Sequence, residues 1–216
     1  WPKRIWSVLL FDHRLRHHRD LPAPLFFSRA ASSFMMIGER SNVTGSPRFA
    51  KAIKEARTLG KTVNVAASSE DKNYSYIPGE LALEPRAAYV HITSNNTIKG
   101  TQYQTIPDVG DLPLICDMSS DILSRPLDIS QYGLIYAGAQ KNLGIPGLTV
   151  VVIHQNLLDR INADLPAYLD YRKWVDSDSM LNTPATLAWY TALETCRWIE
   201  ARGGLTYFER RNRARA

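Results

Sequence analysis

Short apolar runs separated by turns dominate the middle of the chain. Several of them are apolar throughout, without the alternation of a half-exposed strand, and this pattern is typical of strands that are covered on both faces. The pattern therefore predicts a sheet buried between helices. The runs that we predict as strands are 62–66, 88–93, 112–116, 133–137 and 148–153.

One helix is predicted before the first of these strands. Residues 50–59, with the sequence AKAIKEARTL, are rich in alanine, lysine, glutamate and leucine, which favour helices. Gly60 follows as a C-terminal stop.

A second helix is predicted in the last third of the chain. Thr183 is a candidate N-cap, and Pro184 would be the first helical residue, an arrangement that helix N-termini favour. Trp189, Leu193 and Cys196 recur on one face of this helix. The pair Gly203–Gly204 would end it. The predicted fold class is α/β, with a mixed, mostly parallel sheet flanked by helices.

Composition changes this picture little. The 216 residues have a formal charge of +5, much of it near the two ends, so the charge does not indicate a nucleic-acid partner. The longest early apolar run, 5–11, is too short to span a bilayer, so no membrane partner is expected. The two cysteines, Cys116 and Cys196, lie far apart in apolar runs, which favours buried thiols in a reducing compartment. We therefore expect a cytoplasmic protein.

Residues 1–33 mix Trp, Arg, His and Pro without helical or strand periodicity, and no initiator methionine precedes them. We expect a poorly ordered leader or the edge of a gene fragment here. Nearby His13, His17 and His18 lack the carboxylate or cysteine that would complete a metal-ligand spacing, so no metal site is predicted.

Two candidate chemical groups follow predicted strands. Asp117 comes directly after the run LPLIC, and Lys141 follows GLIYAGAQ. Functional groups of α/β proteins collect beyond strand ends, although a surface lysine and a turn-capping aspartate remain alternatives. Pyridoxal phosphate needs this pair, because a lysine holds its aldehyde as an imine and a carboxylate keeps its ring nitrogen protonated.

Long motifs then make the sequence recognisable. From about Ala52 to the end it resembles the phosphoserine aminotransferases, pyridoxal-phosphate-dependent members of the class V aminotransferases. The motifs that carry the resemblance are VNVAASSEDKNYSYIP at 63–78, HITSNNTIKGTQ at 91–102, CDMSSDILSRPLD at 116–128, YGLIYAGAQKNLGIPGLTVVV at 132–152 and SDSMLNTPAT at 177–186.

The resemblance implies a role for each matching residue. Lys141 would form the Schiff base with the cofactor and, once freed, move the proton between the substrate's α-carbon and the cofactor, while Asp117 would pair with the pyridinium nitrogen. Thr97 would hydrogen-bond the cofactor, and Gln140 would contact its phosphate. Asn182 and Thr183 would reach the cofactor phosphate of a neighbouring subunit, which implies a homodimer.

The resemblance also implies the substrates and the fold. The amino group would pass between phosphoserine with 2-oxoglutarate and 3-phosphohydroxypyruvate with glutamate, a step of serine biosynthesis. Residues 52–216 would form part of the large domain of a fold-type I aminotransferase. The aromatic residue expected to stack on the cofactor ring falls where the chain has Arg48.

A shorter stretch points to another family. FMMIGERSNVTGSPRFAKAIK at 34–54 resembles the opening of the folate-binding barrel of cobalamin-dependent methionine synthase, and Asn42 would lie near the pterin. We assign 34–51 to this stretch. Two alternatives to an active aminotransferase are therefore kept: a truncated, noncatalytic remnant of the same fold, and a folate-binding module built on Asn42.

Overall fold

The computed structural model of the chain describes residues 6–12, 40–45 and 49–215. Its strands are β1 (Trp6–Asp12), β2 (Arg40–Gly45), β3 (Thr62–Ser68), β4 (Val90–Thr93), β5 (Asn95–Asn96), β6 (Thr101–Gln102), β7 (Leu114–Asp117), β8 (Leu134–Gly138) and β9 (Leu148–His154). Its α-helices are α1 (Phe49–Thr58), α2 (Gln155–Leu158), α3 (Tyr171–Asp176), α4 (Thr186–Ala201) and α5 (Gly204–Arg213).

Within the described ranges, seven strands form one sheet in the order β1-β9-β8-β7-β4-β2-β3, and β5 pairs with β6 in a separate small hairpin. Strands β8, β7, β4, β2 and β3 run parallel to one another. Strand β9 runs in the opposite direction, because it pairs antiparallel with both β8 and β1, and β1 at the edge therefore runs in the same direction as β8. The sheet is thus mixed and mostly parallel, as predicted.

The central strands β4, β7 and β8 are largely buried on both faces, which explains why they read as mostly apolar runs. In β7, Ile115 packs in one core cluster while Leu114 and Cys116 pack in another on the opposite face. Side chains alternate across a strand, so a strand with all residues buried needs cover on both sides. The predicted strands are confirmed, with boundaries that shift by up to about two residues.

The first predicted helix is confirmed as α1. It ends where Gly60 adopts a φ of 73°, a left-handed conformation that glycine tolerates best, and the Gly60 amide donates to the carbonyl of Arg57 at 3.0 Å.

The predicted start of α4 is wrong. The helix begins at Thr186, its N-cap is Ala185, and no side chain caps it. Thr183 therefore does not cap the helix and Pro184 is not its first residue. The Pro184 carbonyl instead accepts a hydrogen bond from the Thr186 amide at 2.8 Å, so a turn precedes the helix.

Two strands lie in the segment before Ala52. Trp6–Asp12 forms β1, which the sequence pattern did not predict, and Arg40–Gly45 forms β2 between β3 and β4. Asn42 thus lies on a strand of the same sheet as β7 and β8. The remaining residues of the expected leader, with His13, His17 and His18, lie outside the described residues, as does Arg48.

We expect the stability of the protein to fall when a single methyl group is removed from the core of the sheet. Ile153 on β9 is 0% exposed, whereas Ile129 in a surface turn is 40% exposed. Replacing Ile153 with valine should lower the free energy of unfolding by about 1 kcal/mol, because the lost methyl leaves a gap that close packing does not fill. The same change at Ile129 should alter it by less than about 0.5 kcal/mol. Urea unfolding of the two variants measures the difference, and equal values would contradict the described packing.

Candidate functional site

The candidate site lies beyond one end of two neighbouring parallel strands. Asp117 is the last residue of β7, and it pairs in register with Tyr136 on β8. Strand β8 ends at Gly138, three residues before Lys141. The carboxyl ends of parallel strands meet at the same edge of a sheet, so the fold brings the two predicted groups to one place.

Lys141 contacts a second predicted residue. Its Nζ donates a hydrogen bond to the Oγ1 of Thr97 at 2.5 Å, although the two residues are far apart in sequence. Thr97 lies in the turn of the β5–β6 hairpin, which closes where the Gly100 amide donates to the Asn96 carbonyl at 2.8 Å. Gly100 has a φ of 69°, which favours glycine at this position. The hairpin thus holds a hydroxyl against the lysine amine.

Asp117 is held by its surroundings from several directions. Its carboxylate is almost fully buried, and its Oδ1 accepts a hydrogen bond from the Ser119 amide at 2.9 Å. Its backbone carbonyl accepts from both the amide and the Oγ of Ser94, at 3.0 and 3.1 Å. A buried carboxylate costs free energy unless it is hydrogen-bonded, so the Ser119 amide helps to stabilise it, whereas the two Ser94 donors hold the backbone of Asp117.

Two further polar side chains lie beside Asp117, and the sequence did not single them out. Tyr136 hydrogen-bonds the Asp117 carboxylate, and its hydroxyl lies 3.1 Å from the Nε2 of His91. Burial, followed by the charge of Asp117, raises the pKa of Tyr136 well above its ordinary value. Burial lowers the pKa of His91 to about 3, so this imidazole is neutral near pH 7. The available signal was a tyrosine and a histidine inside otherwise apolar runs.

Gln140 is exposed at the end of β8. A β-carbon added at Gly138 would lie 2.5 Å from the Oε1 of Gln140, so the absence of a side chain at Gly138 lets the glutamine fold back across the strand end. The Gly138 amide donates to the Oγ of Ser119 at 3.1 Å, which ties this strand end to the segment that follows Asp117.

The last two predicted residues lie just before α4. Asn182 is partly buried, and its Oδ1, which is inaccessible to solvent, has no hydrogen-bond partner among the described residues, whereas Thr183 is exposed. Within the described residues, no hydrogen bond links either of them to the other four predicted residues. The structure therefore brings together Thr97 and Lys141 by contact, and Asp117 and Gln140 by strand position, but not this pair.

The site combines a primary amine, a hydroxyl and a buried carboxylate. An amine can attack a carbonyl carbon, and a buried carboxylate can stabilise a positive charge that a ligand brings to it. None of the helices in the described part of the chain has the length and hydropathy that a membrane crossing requires.

The known proteins with similar sequences include phosphoserine aminotransferases of several bacteria. The phosphoserine aminotransferase of Desulfatibacillum aliphaticivorans is 59% identical over 167 residues, which is 77% of this chain and 46% of that protein. The phosphoserine aminotransferase of Lysinibacillus sphaericus is 46% identical over 197 residues, which is 90% of this chain. That second alignment reaches further towards the N-terminus than Ala52. The chain spans about half the length of these curated relatives.

Solved structures agree in fold. The phosphoserine aminotransferase from Bacillus circulans subsp. alkalophilus superposes with a TM-score of 0.83 at 41% identity, over 97% of this chain and 56% of that chain. The phosphoserine aminotransferase with bound PLP from Trichomonas vaginalis superposes with a TM-score of 0.85 at 34% identity, over 99% of this chain and 62% of that chain. The sequence profile of aminotransferase class-V matches residues 48–216, which is well over half of the chain. The chain therefore belongs to the aminotransferase class-V family.

Proposed function

We propose that the protein is a pyridoxal-5′-phosphate-dependent phosphoserine aminotransferase and that Lys141 binds the cofactor covalently. The observation that carries the proposal is the position of Lys141. Its amine contacts Thr97 beyond the same sheet edge where the carboxylate of Asp117 is buried. Family membership supports the cofactor, and the names of the relatives support the substrate.

The residues present suit this cofactor chemically. The cofactor offers an aldehyde to an amine and a ring nitrogen to an acid, and Lys141 and Asp117 supply partners for both. Pyridoxal phosphate, when bound, supplies an electron sink for charge that develops at the substrate's α-carbon.

The chain's own groups would act as follows. Lys141 would hold the cofactor, and its free Nζ would accept the proton that leaves the substrate's α-carbon. Thr97 orients that Nζ by accepting its hydrogen bond and offers its own hydroxyl hydrogen to the cofactor. Asp117 keeps a proton on the ring nitrogen, because a buried carboxylate favours a positive charge beside it.

Phosphate recognition in this proposal uses an amide side chain and a second subunit. Gln140 donates to the cofactor phosphate from the exposed end of β8. Among the described residues, neither Asn182 nor Thr183 is hydrogen-bonded to Lys141 of the same chain. This is consistent with a role in binding the phosphate of the cofactor in a neighbouring subunit. A cytoplasmic homodimer is therefore part of the proposal.

The test begins with the cofactor and proceeds to turnover. The purified chain is mixed with pyridoxal phosphate, its visible absorption is recorded, and borohydride reduction is followed by peptide mapping with mass spectrometry. We expect an imine band and a label on Lys141. Glutamate formation from phosphoserine and 2-oxoglutarate is then measured, with serine in place of phosphoserine as the matched control for the phosphate group.

The outcomes separate the proposal from the noncatalytic alternative. Label on Lys141 with turnover of phosphoserine, and little turnover of serine, supports the whole proposal. Label on Lys141 without turnover of either substrate would point to the noncatalytic alternative. Label scattered over surface lysines, with no imine band, would contradict the proposal at its first step.

A further inference from the structure

The structure buries a row of three polar side chains in the centre of the sheet. His91 on β4, Asp117 on β7 and Tyr136 on β8 are 2%, 7% and 5% exposed. The register explains why they meet: His91 pairs with Ile115, two positions before Asp117, and Asp117 pairs with Tyr136. Alternate residues of a strand share a face, so all three side chains lie on the same face of the sheet.

Hydrogen bonds link these three side chains. The Tyr136 hydroxyl hydrogen-bonds the Asp117 carboxylate, and the His91 Nε2 lies 3.1 Å from the same hydroxyl. Each polar group buried in a sheet core without a partner would cost roughly 1–3 kcal/mol. A core of this kind is usually filled with apolar residues, so three linked polar groups at its centre suggest a purpose beyond packing.

The chemistry of the three groups sets the direction of both hydrogen bonds. An ionised carboxylate can only accept, so the Tyr136 hydroxyl donates to Asp117. The phenol oxygen then accepts from His91, whose Nε2 must carry the hydrogen of the neutral imidazole. Burial keeps Tyr136 and His91 in these protonation states, because it raises the pKa of Tyr136 and lowers that of His91.

The Asp117 carboxylate consequently receives two fixed donors, the Tyr136 hydroxyl and the Ser119 amide, the latter 2.9 Å from Oδ1. Two donors hold the plane of a carboxylate and stabilise its ionised form.

We propose that Tyr136 is a positioning residue for Asp117 and that His91, by donating to the Tyr136 oxygen, fixes the direction in which that hydroxyl points. The proposal rests on the proposed function, because the group that Asp117 would then receive is the protonated ring nitrogen of pyridoxal phosphate. Neither Tyr136 nor His91 touches the reacting atoms; both act through the orientation and charge of Asp117.

The first test compares two buried tyrosines. Tyr136→Phe removes the donor to Asp117, whereas Tyr132→Phe removes a hydroxyl from a side chain that is 6% exposed and packs in a different core cluster. We expect Tyr136→Phe to raise the dissociation constant for pyridoxal phosphate about tenfold, as loss of a hydrogen bond to a charged group should. The label at Lys141 should remain, and Tyr132→Phe should bind like the unmodified chain.

A second measurement does not need the cofactor. The Cγ resonance of Asp117 is followed against pH in ¹³C-aspartate-labelled protein without pyridoxal phosphate, and Tyr136→Phe should move its midpoint to higher pH. The titratable groups that act on this row are Cys116 beside Asp117 and Tyr171 from α3, which acts on Tyr136; both stay in place in the variant. An unchanged midpoint would overturn the proposal whether or not the cofactor binds. No label at Lys141 in the unmodified chain would instead count against the proposed function.

The contribution of His91 is tested by a pair of variants. His91→Leu removes the donor to Tyr136, and His91→Gln retains an N–H group that can replace it. His91→Leu should weaken cofactor binding, but by less than Tyr136→Phe does. His91→Gln should retain most of the affinity that His91→Leu loses. In the Tyr136→Phe background, His91→Leu should cause no further loss of affinity. Full additivity of the two changes, or equal effects of leucine and glutamine, would show that His91 does not act through Tyr136.

Discussion

Replacing Lys141 with arginine should abolish the covalent label and lower turnover by roughly 10²–10⁴-fold, the range that loss of a positioned general acid–base costs. Arginine keeps the positive charge and can still donate to Thr97, so the loop after β8 should hold its conformation. A guanidinium stays protonated at any accessible pH, so it neither forms an imine nor accepts a proton. Borohydride labelling and the phosphoserine assay measure the two effects.

The control for this variant is a lysine in the same hairpin. Lys99 lies two residues after Thr97, and its Nζ donates to the Oδ1 of Asn73 at 2.8 Å instead of to the site. Lys99→Arg should retain the label on Lys141 and the turnover of the unmodified chain. If Lys141→Arg kept turnover within about tenfold of the unmodified chain, Lys141 would not be the group that moves the proton.

Replacing Asp117 with asparagine should lower turnover by roughly 10²–10³-fold, the cost of removing one preorganised electrostatic group from an active site. The amide keeps the size of the side chain but carries no charge, so the ring nitrogen loses the partner that keeps it protonated. One half of the amide is also a donor, and it would face the Tyr136 hydroxyl or the Ser119 amide, which are donors themselves. Cofactor affinity should therefore fall together with turnover.

Asp108→Asn is the matched control for Asp117→Asn. Asp108 is exposed, and its Oδ1 accepts from the Gly110 amide at 2.9 Å, a turn contact that asparagine can also make. This variant should retain both affinity and turnover. Equal losses in the two variants would mean that a general change in charge, and not the position of Asp117, controls the reaction.

The sequence positions of the five predicted strands follow from local pattern, because a strand covered on both faces is apolar at nearly every position. Residues 112–116 and 133–137 read as strands for this reason, and both are confirmed as β7 and β8. Trp6–Asp12 is also apolar in part, but its partner is β9, which lies beyond most of the chain. Edge pairing over that separation leaves no signal in a local window, so β1 was missed.

At the start of α4, local sequence predicted a feature that the structure does not have. Thr183 and Pro184 have the residue types of a helix N-terminus, and local chemistry predicts a cap there. The chain instead makes a further turn through Ala185, which is itself buried against the core around Gly147. Burial of a small residue at the helix start thus outweighed the preference of a threonine to cap.

The sequence singled out Lys141 and Asp117 at the candidate site, but not Tyr136 and His91, which lie beside Asp117. Lys141 and Asp117 lie at or after the ends of predicted strands, and in parallel sheets functional residues often lie there. Tyr136 and His91 lie within strands, where an aromatic or a histidine in an apolar run indicates only burial. Their connection depends on the register of three strands that are far apart in sequence, and register is not visible in any one of them.

The pairing of β1 with β9 has a consequence for the order in which the protein can assemble. During synthesis, Trp6–Asp12 leaves the ribosome long before Leu148–His154, the strand it pairs with. Closing so long a loop is slow, and the parallel strands between them can associate first. Until β9 emerges, β1 has no strand to pair with, and the largely apolar sequence WSVLLFD is a segment that can associate with other exposed apolar surfaces during translation.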